Sequence, residues 1–208
     1  IVGSPYLTER GAVSAAAVLR KGRIVDIVEK QYLTARREMG FIVEGEGYKT
    51  INICGQNVAI MVGNDLAHLS EIDSKIDFVI NVNSRRYGKG LMSRRLETMR
   101  RLSYTQGCSI AIINQVGGSG DLVYDGTSGI LNKQGQIELI MKSFEEDFAI
   151  YDTSIEHTPI EIPYTSYNDR TRLVYKAACL GLRDYFLKNG YKKACVGLSG
   201  GIDSSVVA

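Results

Sequence analysis

The stretch IDFVINVNSRRYGKGLMSRRLETMRRLSYTQGCSIAIINQ, residues 76–115, changes period twice. IDFVINVN (76–83) is a continuous apolar run, the pattern of a strand buried on both faces. From Gly90 to Gly107 the apolar residues recur at helical spacing instead. Met92, Leu96, Met99 and Leu102 fall on one face, arginines lie beside it, and Gly107 is a helix stop. CSIAIINQ (108–115) returns to buried strand. Strands of this kind alternating with an amphipathic helix predict a layered α/β domain.

Outward from this unit the chain is rich in strands to about residue 153. AVSAAAVLR (12–20) and RIVDIVEK (23–30) are joined by Lys21-Gly22, a hairpin-like turn. YKTINI (48–53) and NVAIMV (57–62) flank a turn at Cys54-Gly55-Gln56. Residues 121–143 read as successive hairpins with Asp125-Gly126 and Gln134-Gly135 turns. The segment 154–168, with Pro159 and Pro163, reads as a linker. A helix is expected over about 169–189. Asn168 or Asp169 caps it, Val174, Ala178, Leu182 and Phe186 share a face, and Asn189-Gly190 stops it. KKACVGL (192–198) is expected to be a short strand, followed by a glycine loop and the first residues of another helix.

Composition narrows the function classes. With 25 basic against 23 acidic residues the net charge is +2, so no global field demands nucleic acid or a membrane. No apolar run approaches the ~20 residues of a spanning helix. The four cysteines, at 54, 108, 179 and 195, show no CxxC spacing and no disulfide framework, which favours a reduced, cytoplasmic setting. Residue 1 starts inside an apolar run, IVGSP, and the glycine loop comes at the very end. Both read as a segment cut at each end.

The loop, GLSGGIDSS, follows an apolar strand and opens a helix. Glycines let backbone N–H groups approach an anion, and the helix start adds its positive end. Ser199, Ser204 and Ser205 offer hydroxyls. Asp203 is acidic, which suits a phosphate site only if it holds Mg2+. No lysine sits in the loop, so the Walker pattern is absent.

SGGIDSS resembles the pyrophosphate loop of N-type ATP pyrophosphatases. YKAACLGLRDYFLKNGYKKACVGLSGGIDSSVVA (175–208) resembles the start of the synthetase domain of the glutamine-dependent NAD+ synthetase family, a Rossmann-like domain of the adenine nucleotide alpha hydrolase type. Residues 1–153 resemble that family's glutaminase half, a carbon–nitrogen hydrolase (nitrilase-like) α-β-β-α sandwich, most tellingly at INQVGGSGDLVYDGTSGILNKQGQI (113–137). The resemblance implies three parts: a nitrilase-like domain over 1–153, a linker over 154–168, and the first helix, strand and pyrophosphate loop of the synthetase domain over 169–208.

The resemblance also implies a reaction. ATP adenylates the carboxylate of deamido-NAD+ and releases pyrophosphate; ammonia, nominally from glutamine, then displaces AMP. Gly197, Leu198, Ser199, Gly200, Gly201, Ile202, Asp203 and Ser204 would hold the ATP phosphates, with Asp203 on Mg2+. Homo-oligomers are expected, and neither nucleic acid nor membrane as a partner.

Glutaminases of this superfamily use a Glu–Lys–Cys triad. EKQYL (29–33) matches the lysine motif at Lys30, and the Glu would precede residue 1. The nucleophile strand reads AIMVGNDLA (59–67), which puts Gly63 at the cysteine and Asn64 at the following Glu. Cys54 and Cys108 lie elsewhere. Thr34 replaces a usual Pro. Arg85 and Arg86 stand near a usual Ser-Pro-aromatic turn, where Tyr87 keeps an aromatic and Lys89 is a further candidate. The expectation is a nitrilase-like fold without its glutaminase chemistry. An inert scaffold and a carbon–nitrogen amidase are the alternatives. RRYGKGLMSRRLETMRR (85–101) carries seven basic residues against one acid and reads as a solvated helix face or subunit contact. Lys30 could also be a surface lysine. His68 and His157 are too far apart in sequence to imply a joint site. Tyr124 and Asp125 have either a turn role or a contact with another domain.

Overall fold

The computed structural model describes residues 1–33, 40–72, 75–162 and 169–208. The expectations at Thr34, Pro163 and Asn168 lie outside these residues. The first strands, β1 (Val2–Thr8), β2 (Gly11–Arg20) and β3 (Arg23–Glu29), form an antiparallel three-stranded sheet. The β2–β3 turn is Lys21-Gly22, with φ of 50° and 75°, the left-handed pair that a tight hairpin needs. Next come β4 (Thr50–Ile53), β5 (Gln56–Val62), β6 (Phe78–Asn83), helix α1 (Leu91–Gln106) and β7 (Ser109–Asn114). Cys54-Gly55 turns the β4–β5 hairpin, again with both φ positive.

The decisive stretch folds as its periods imply. β6 and β7 run parallel and adjacent, with β5 parallel on the other side of β6. The complete sheet is six-stranded and mixed, in the order β11-β10-β7-β6-β5-β4, where β10 is Gly129–Leu131 and β11 is Ile137–Ile140. Its two faces meet different partners. Val58, Ile60, Phe78 and Ala111 pack on Ala16, Val18 and Val28 of the three-stranded sheet. Ala59, Met61, Val79, Ile110 and Ile112 pack on Leu96, Met99 and Leu102 of α1 and on Leu66 and Leu69 of a 3-10 helix, Gly63–Glu71. The layers are therefore helix, sheet, sheet. Each fully buried aliphatic side chain in them contributes about 1.5–3 kcal/mol, so strands with two buried faces dominate the core. Apolar side chains on the three-stranded sheet that do not face the larger sheet, among them Leu7, Leu19 and Val25, are exposed.

The hairpins after β7 differ from the expectation. Asp125-Gly126 is not a hairpin turn. β8 (Val116–Ser119) and β9 (Leu122–Asp125) form a separate two-stranded ribbon that turns at Gly120-Asp121. Asp125 ends β9 and is buried against Arg95 of α1, with Nη2 to Oδ2 at 2.7 Å and Nη1 to Oδ1 at 3.2 Å. A bidentate buried pair took the residue that turn chemistry claimed. Gln134-Gly135 does lie in the turn between β10 and β11. Arg94, Arg100 and Arg101 are exposed on α1, as a solvated face requires, and Arg95 is the exception.

Helix α2 (Arg170–Asn189) is capped by Asp169, whose side chain accepts the Arg172 N–H, and ends at Gly190 with φ of 71°. Its buried face is Leu173, Ala177 and Leu180 rather than the expected one, since Val174 and Leu182 are more than half exposed. The buried face packs with Met92 and Phe144 and with Val116 and Val123 of the β8–β9 ribbon. Contact with the ribbon is close enough to need glycine. A Cβ on Gly118 would lie 3.2 Å from the Gly181 Cα, and one on Gly181 would lie 2.9 Å from a Val123 methyl. The Gly118 N–H donates to Asp184 at 2.7 Å, and Lys188 donates to the Gly118 carbonyl. Residues 192–198 form no strand. They are exposed and pair with no other strand, so the β-branched and apolar run has no ladder to join. No helix among the described residues is long and apolar enough to cross a membrane.

Two outcomes are expected. Asp125→Ala leaves the Arg95 guanidinium buried without its counter-ion and costs roughly 3–5 kcal/mol in urea unfolding. Pairing Arg95→Met with Asp125→Leu recovers most of that loss; an equal or larger loss in the double variant would contradict this account. Gly181→Val overpacks the α2–ribbon contact by about 1–3 kcal/mol. Limited proteolysis should then cut the chain between residue 144 and α2 before the sheets are touched.

Candidate functional site

The parallel strands β5, β6 and β7 end together, and their carboxyl ends carry Gly63, Asn83 and Asn114. In open α/β sheets this edge is where ligands bind. A cavity of about 1230 Å3 opens there, and these three residues line it along with Lys30, Arg85 and Tyr124.

Gly63 makes the turn from β5 into the 3-10 helix with φ of +61°, a conformation that costs little only for glycine. Lys30 follows β3. Its N–H donates to the Ser14 carbonyl and its carbonyl accepts from the Gly45 N–H, both at 2.8 Å, so the backbone is fixed on each side. The Lys30 side chain is buried, not a surface lysine, and reaches the turn. A Cβ at position 63 would lie 3.5 Å from its Cε and 3.7 Å from its Nζ. The structure therefore brings together the two positions that sequence alignment pairs as lysine and nucleophile. It supplies no thiol there: among the described residues Cys54 is in the hairpin at the opposite end of β5, and Cys108 precedes β7, where burial pushes its thiol up to about 11.

Several residues that hold this turn were not legible as site residues. Asp65, buried in the 3-10 helix, accepts the N–H groups of Gln31 at 2.9 Å and Tyr32 at 3.0 Å, which ties the lysine-bearing segment to the turn. Burial raises the Asp65 carboxyl above the usual range, against those two hydrogen bonds and the charge of Lys30. Asn81 donates to the carbonyls of Met61 and Gly63, both at 3.2 Å, and the Asn83 side chain donates to the Asn81 side-chain oxygen Oδ1. The one available signal was Asn-Val-Asn at the end of an apolar strand, polar groups where the core pattern asks for none.

The Arg85-Arg86-Tyr87 segment follows β6. Arg85 donates its guanidinium to the Asn64 side chain, and its backbone N–H donates to Asn114 at 2.8 Å. Burial first, and then the neighbouring Arg95, hold the Arg85 guanidinium below its ordinary value. Tyr87 leaves the cavity and packs edge-on against Phe144, with ring centroids 5.2 Å apart. Lys89 is exposed and does not line the cavity. His68 stacks on Tyr32 and His157 on Tyr151, at separate places.

The glycine loop is a second, separate place: none of residues 197–204 lines the cavity. Gly200 takes φ of 83°, Gly201 caps the short helix α3 (Ile202–Val207), and Asp203 sits in its first turn. Ser204 closes the loop on itself. Its hydroxyl donates to the Gly201 carbonyl at 3.1 Å and accepts the Ser199 N–H at 3.2 Å. The loop is exposed along its length except for Ser204. Among the described residues no group of three or more His, Cys, Asp or Glu side chains could hold a metal.

Comparison with known proteins matches both parts. The NAD synthase family matches residues 174–208. The glutamine-dependent NAD(+) synthetase of Rhodobacter capsulatus is 31% identical over 226 residues, covering 100% of this chain and 39% of that protein. That of Acinetobacter baylyi is 26% identical over 99% of this chain and 40% of its own length. Among solved structures, glutamine-dependent NAD+ synthetase from Acinetobacter baumannii, in complex with ADP, superposes with a TM-score of 0.83 at 27% identity, over 99% of this chain and 41% of that one. XC1258 from Xanthomonas campestris, a CN-hydrolase superfamily protein, shares the fold, with a TM-score of 0.61 at 17% identity over 94% of this chain and 69% of that one. The chain spans about 40% of the length of the curated synthetases it matches first. With a lysine buried beside the turn at Gly63, and a glycine loop after α2, the chain is a homologue of glutamine-dependent NAD+ synthetase, comprising a nitrilase-like α/β domain with a mixed sheet and the start of the NAD synthase domain.

Proposed function

We propose that the protein carrying this sequence amidates deamido-NAD+ at the expense of ATP, and that its nitrilase-like domain (residues 1–153) does not supply the ammonia from glutamine. The observation that carries the second half is the turn at Gly63. The position facing Lys30 has no side chain, so no thioester can form and no amide can be cleaved covalently there. Lys30 keeps its place without a nucleophile to serve. An amidase reading fails at the same atom.

The first half rests on the loop and on the synthetase relatives. Residues 197–204 would receive the phosphates of ATP. Backbone N–H groups around Gly200 and Gly201, and the hydroxyls of Ser199 and Ser204, are donors suited to a pyrophosphate that gains charge as it leaves. The donor set fits Mg2+, which takes one or two carboxylates and fills its octahedron with water and phosphate oxygens; Asp203 is the carboxylate. Bound Mg2+ would neutralise charge on the leaving pyrophosphate. The carboxylate of deamido-NAD+ attacks the α-phosphorus, pyrophosphate leaves, and ammonia displaces AMP from the acyl adenylate. In this reading the nitrilase-like domain is a seat for the synthetase domain, through the α2–ribbon contact, within a cytoplasmic homo-oligomer.

In the full-length protein that carries this sequence, NAD+ formation from deamido-NAD+ and ATP should proceed with ammonium and be nearly absent with glutamine. Robust turnover on glutamine that a thiol alkylator abolishes would overturn the reading. A second test installs the missing group. Gly63→Cys should cost about 1–2 kcal/mol, because a side chain at positive φ is strained. Its thiol would sit beside the Lys30 ammonium, which lowers a thiol below its usual ~8.5. Iodoacetamide at neutral pH should label position 63 ahead of Cys54, Cys179 and Cys195, read by mass spectrometry, and Lys30→Met should slow that labelling. Labelling no faster than at the other exposed cysteines would mean that position 63 does not face Lys30.

A further inference from the structure

The cavity at the ends of β5–β7 has a charge pattern that amide hydrolysis does not call for. Lys30, Arg85, Arg86, Arg94 and Arg95 line it, and no Asp or Glu does so among the described residues. Arg95 is neutralised by Asp125 from behind. Arg85 is held by an amide, the side chain of Asn64, rather than by a carboxylate. Like charges gathered around one cavity repel one another, and Arg95 adds, after partial burial, to what holds the Arg85 guanidinium below its ordinary value. A bound anion relieves that repulsion.

A second observation concerns shape and polarity. Asn83 lines the same cavity and is only 7% exposed, yet its Oδ1 has no hydrogen-bond donor among the described residues. Its orientation is settled by Asn81: the Asn81 amide donates to two carbonyls, so its oxygen must accept from the Asn83 Nδ2, and the Asn83 oxygen is left facing away. A buried acceptor without a donor costs about 1–3 kcal/mol; this one is closed off from the cavity space, so it marks unrelieved polarity beside the cavity and not a contact within it.

We propose that this cavity is a binding site for a small oxyanion, a phosphate or a carboxylate. Arg85, Arg86 and Arg94 meet the charged oxygens. Guanidinium groups suit both anion classes, because their paired N–H donors match two oxygens of either. The site lies apart from the loop at 197–204, none of whose residues lines the cavity.

The test is calorimetric titration of the full-length protein at constant ionic strength, with inorganic phosphate, malate, succinate and glutamine as separate ligands. Saturable binding of phosphate or of malate is expected, and the tighter of the two assigns the anion class. Arg85→Gln and Arg94→Gln, each checked for fold by circular dichroism, should each weaken it by roughly tenfold, the worth of one charge-assisted hydrogen bond. Succinate, which carries the same two carboxylates as malate, should bind comparably to it. No saturable binding of phosphate or malate up to roughly 10 mM, where only about 2.7 kcal/mol of affinity is demanded, would overturn the proposal. So would binding of glutamine alone, or oxyanion binding unchanged in both variants. Turnover with ammonium is read separately, so loss of anion binding and loss of synthesis are distinguishable.

Discussion

Arg95 and Asp125 are both taken out of water, and neither could be there without the other. Their bidentate contact fixes α1 to the end of β9, and Asn114, at the end of β7, donates to the same carboxylate at 3.2 Å. Three elements from different layers thus meet at one buried charge pair. Its effect is less on total stability, since well-packed apolar groups can replace such pairs, than on geometry. The pair determines where the β8–β9 ribbon leaves the sheet, and so both the wall of the cavity and the seat of α2.

The ribbon has two jobs on its two sides. Leu122 and Tyr124 line the cavity, while Val123 packs under α2. Alternation along a strand puts neighbouring residues on opposite faces, so a single four-residue strand touches both the nitrilase-like cavity and the first helix of the synthetase part. The glycines at 118 and 181 allow the helix to approach closely enough for the Asp184 and Lys188 contacts to form. Gly118 is thus demanded by the joint, whereas Gly120 in the same segment turns the ribbon.

The turn at Gly63 is held from several sides. Asp65, Asn81 and Lys30 hold the turn and its surroundings with the hydrogen bonds and burial of a constrained site. The strained backbone that a side chain would have to endure is instead relaxed by glycine. Beside the turn lies a cavity lined by Lys30, Arg85, Arg86, Arg94 and Arg95.

Much of the fold was legible in the residues. The two-faced apolar runs at 57–62, 76–83 and 108–115 had to be interior strands, because nothing else buries both faces of a short extended segment. The face of α1 followed from spacing, and the alignment of Lys30 with position 63 was available from their motifs. Other features depend on which surfaces meet. Val174 and Leu173 are equally apolar, and only docking on the ribbon chose the face with Leu173. Asp125-Gly126 has the composition of a turn, and only the approach of Arg95 from α1 made Asp125 a core residue. The run 192–198 has strand composition, but a strand exists only by pairing. The cationic lining of the cavity was visible in sequence as a basic stretch with an ordinary explanation, a solvated helix. Local patterns determine what each segment can be. Long-range contacts, which bring Lys30, Asn83 and Arg85 to one edge from separate parts of the chain, decided what they do together.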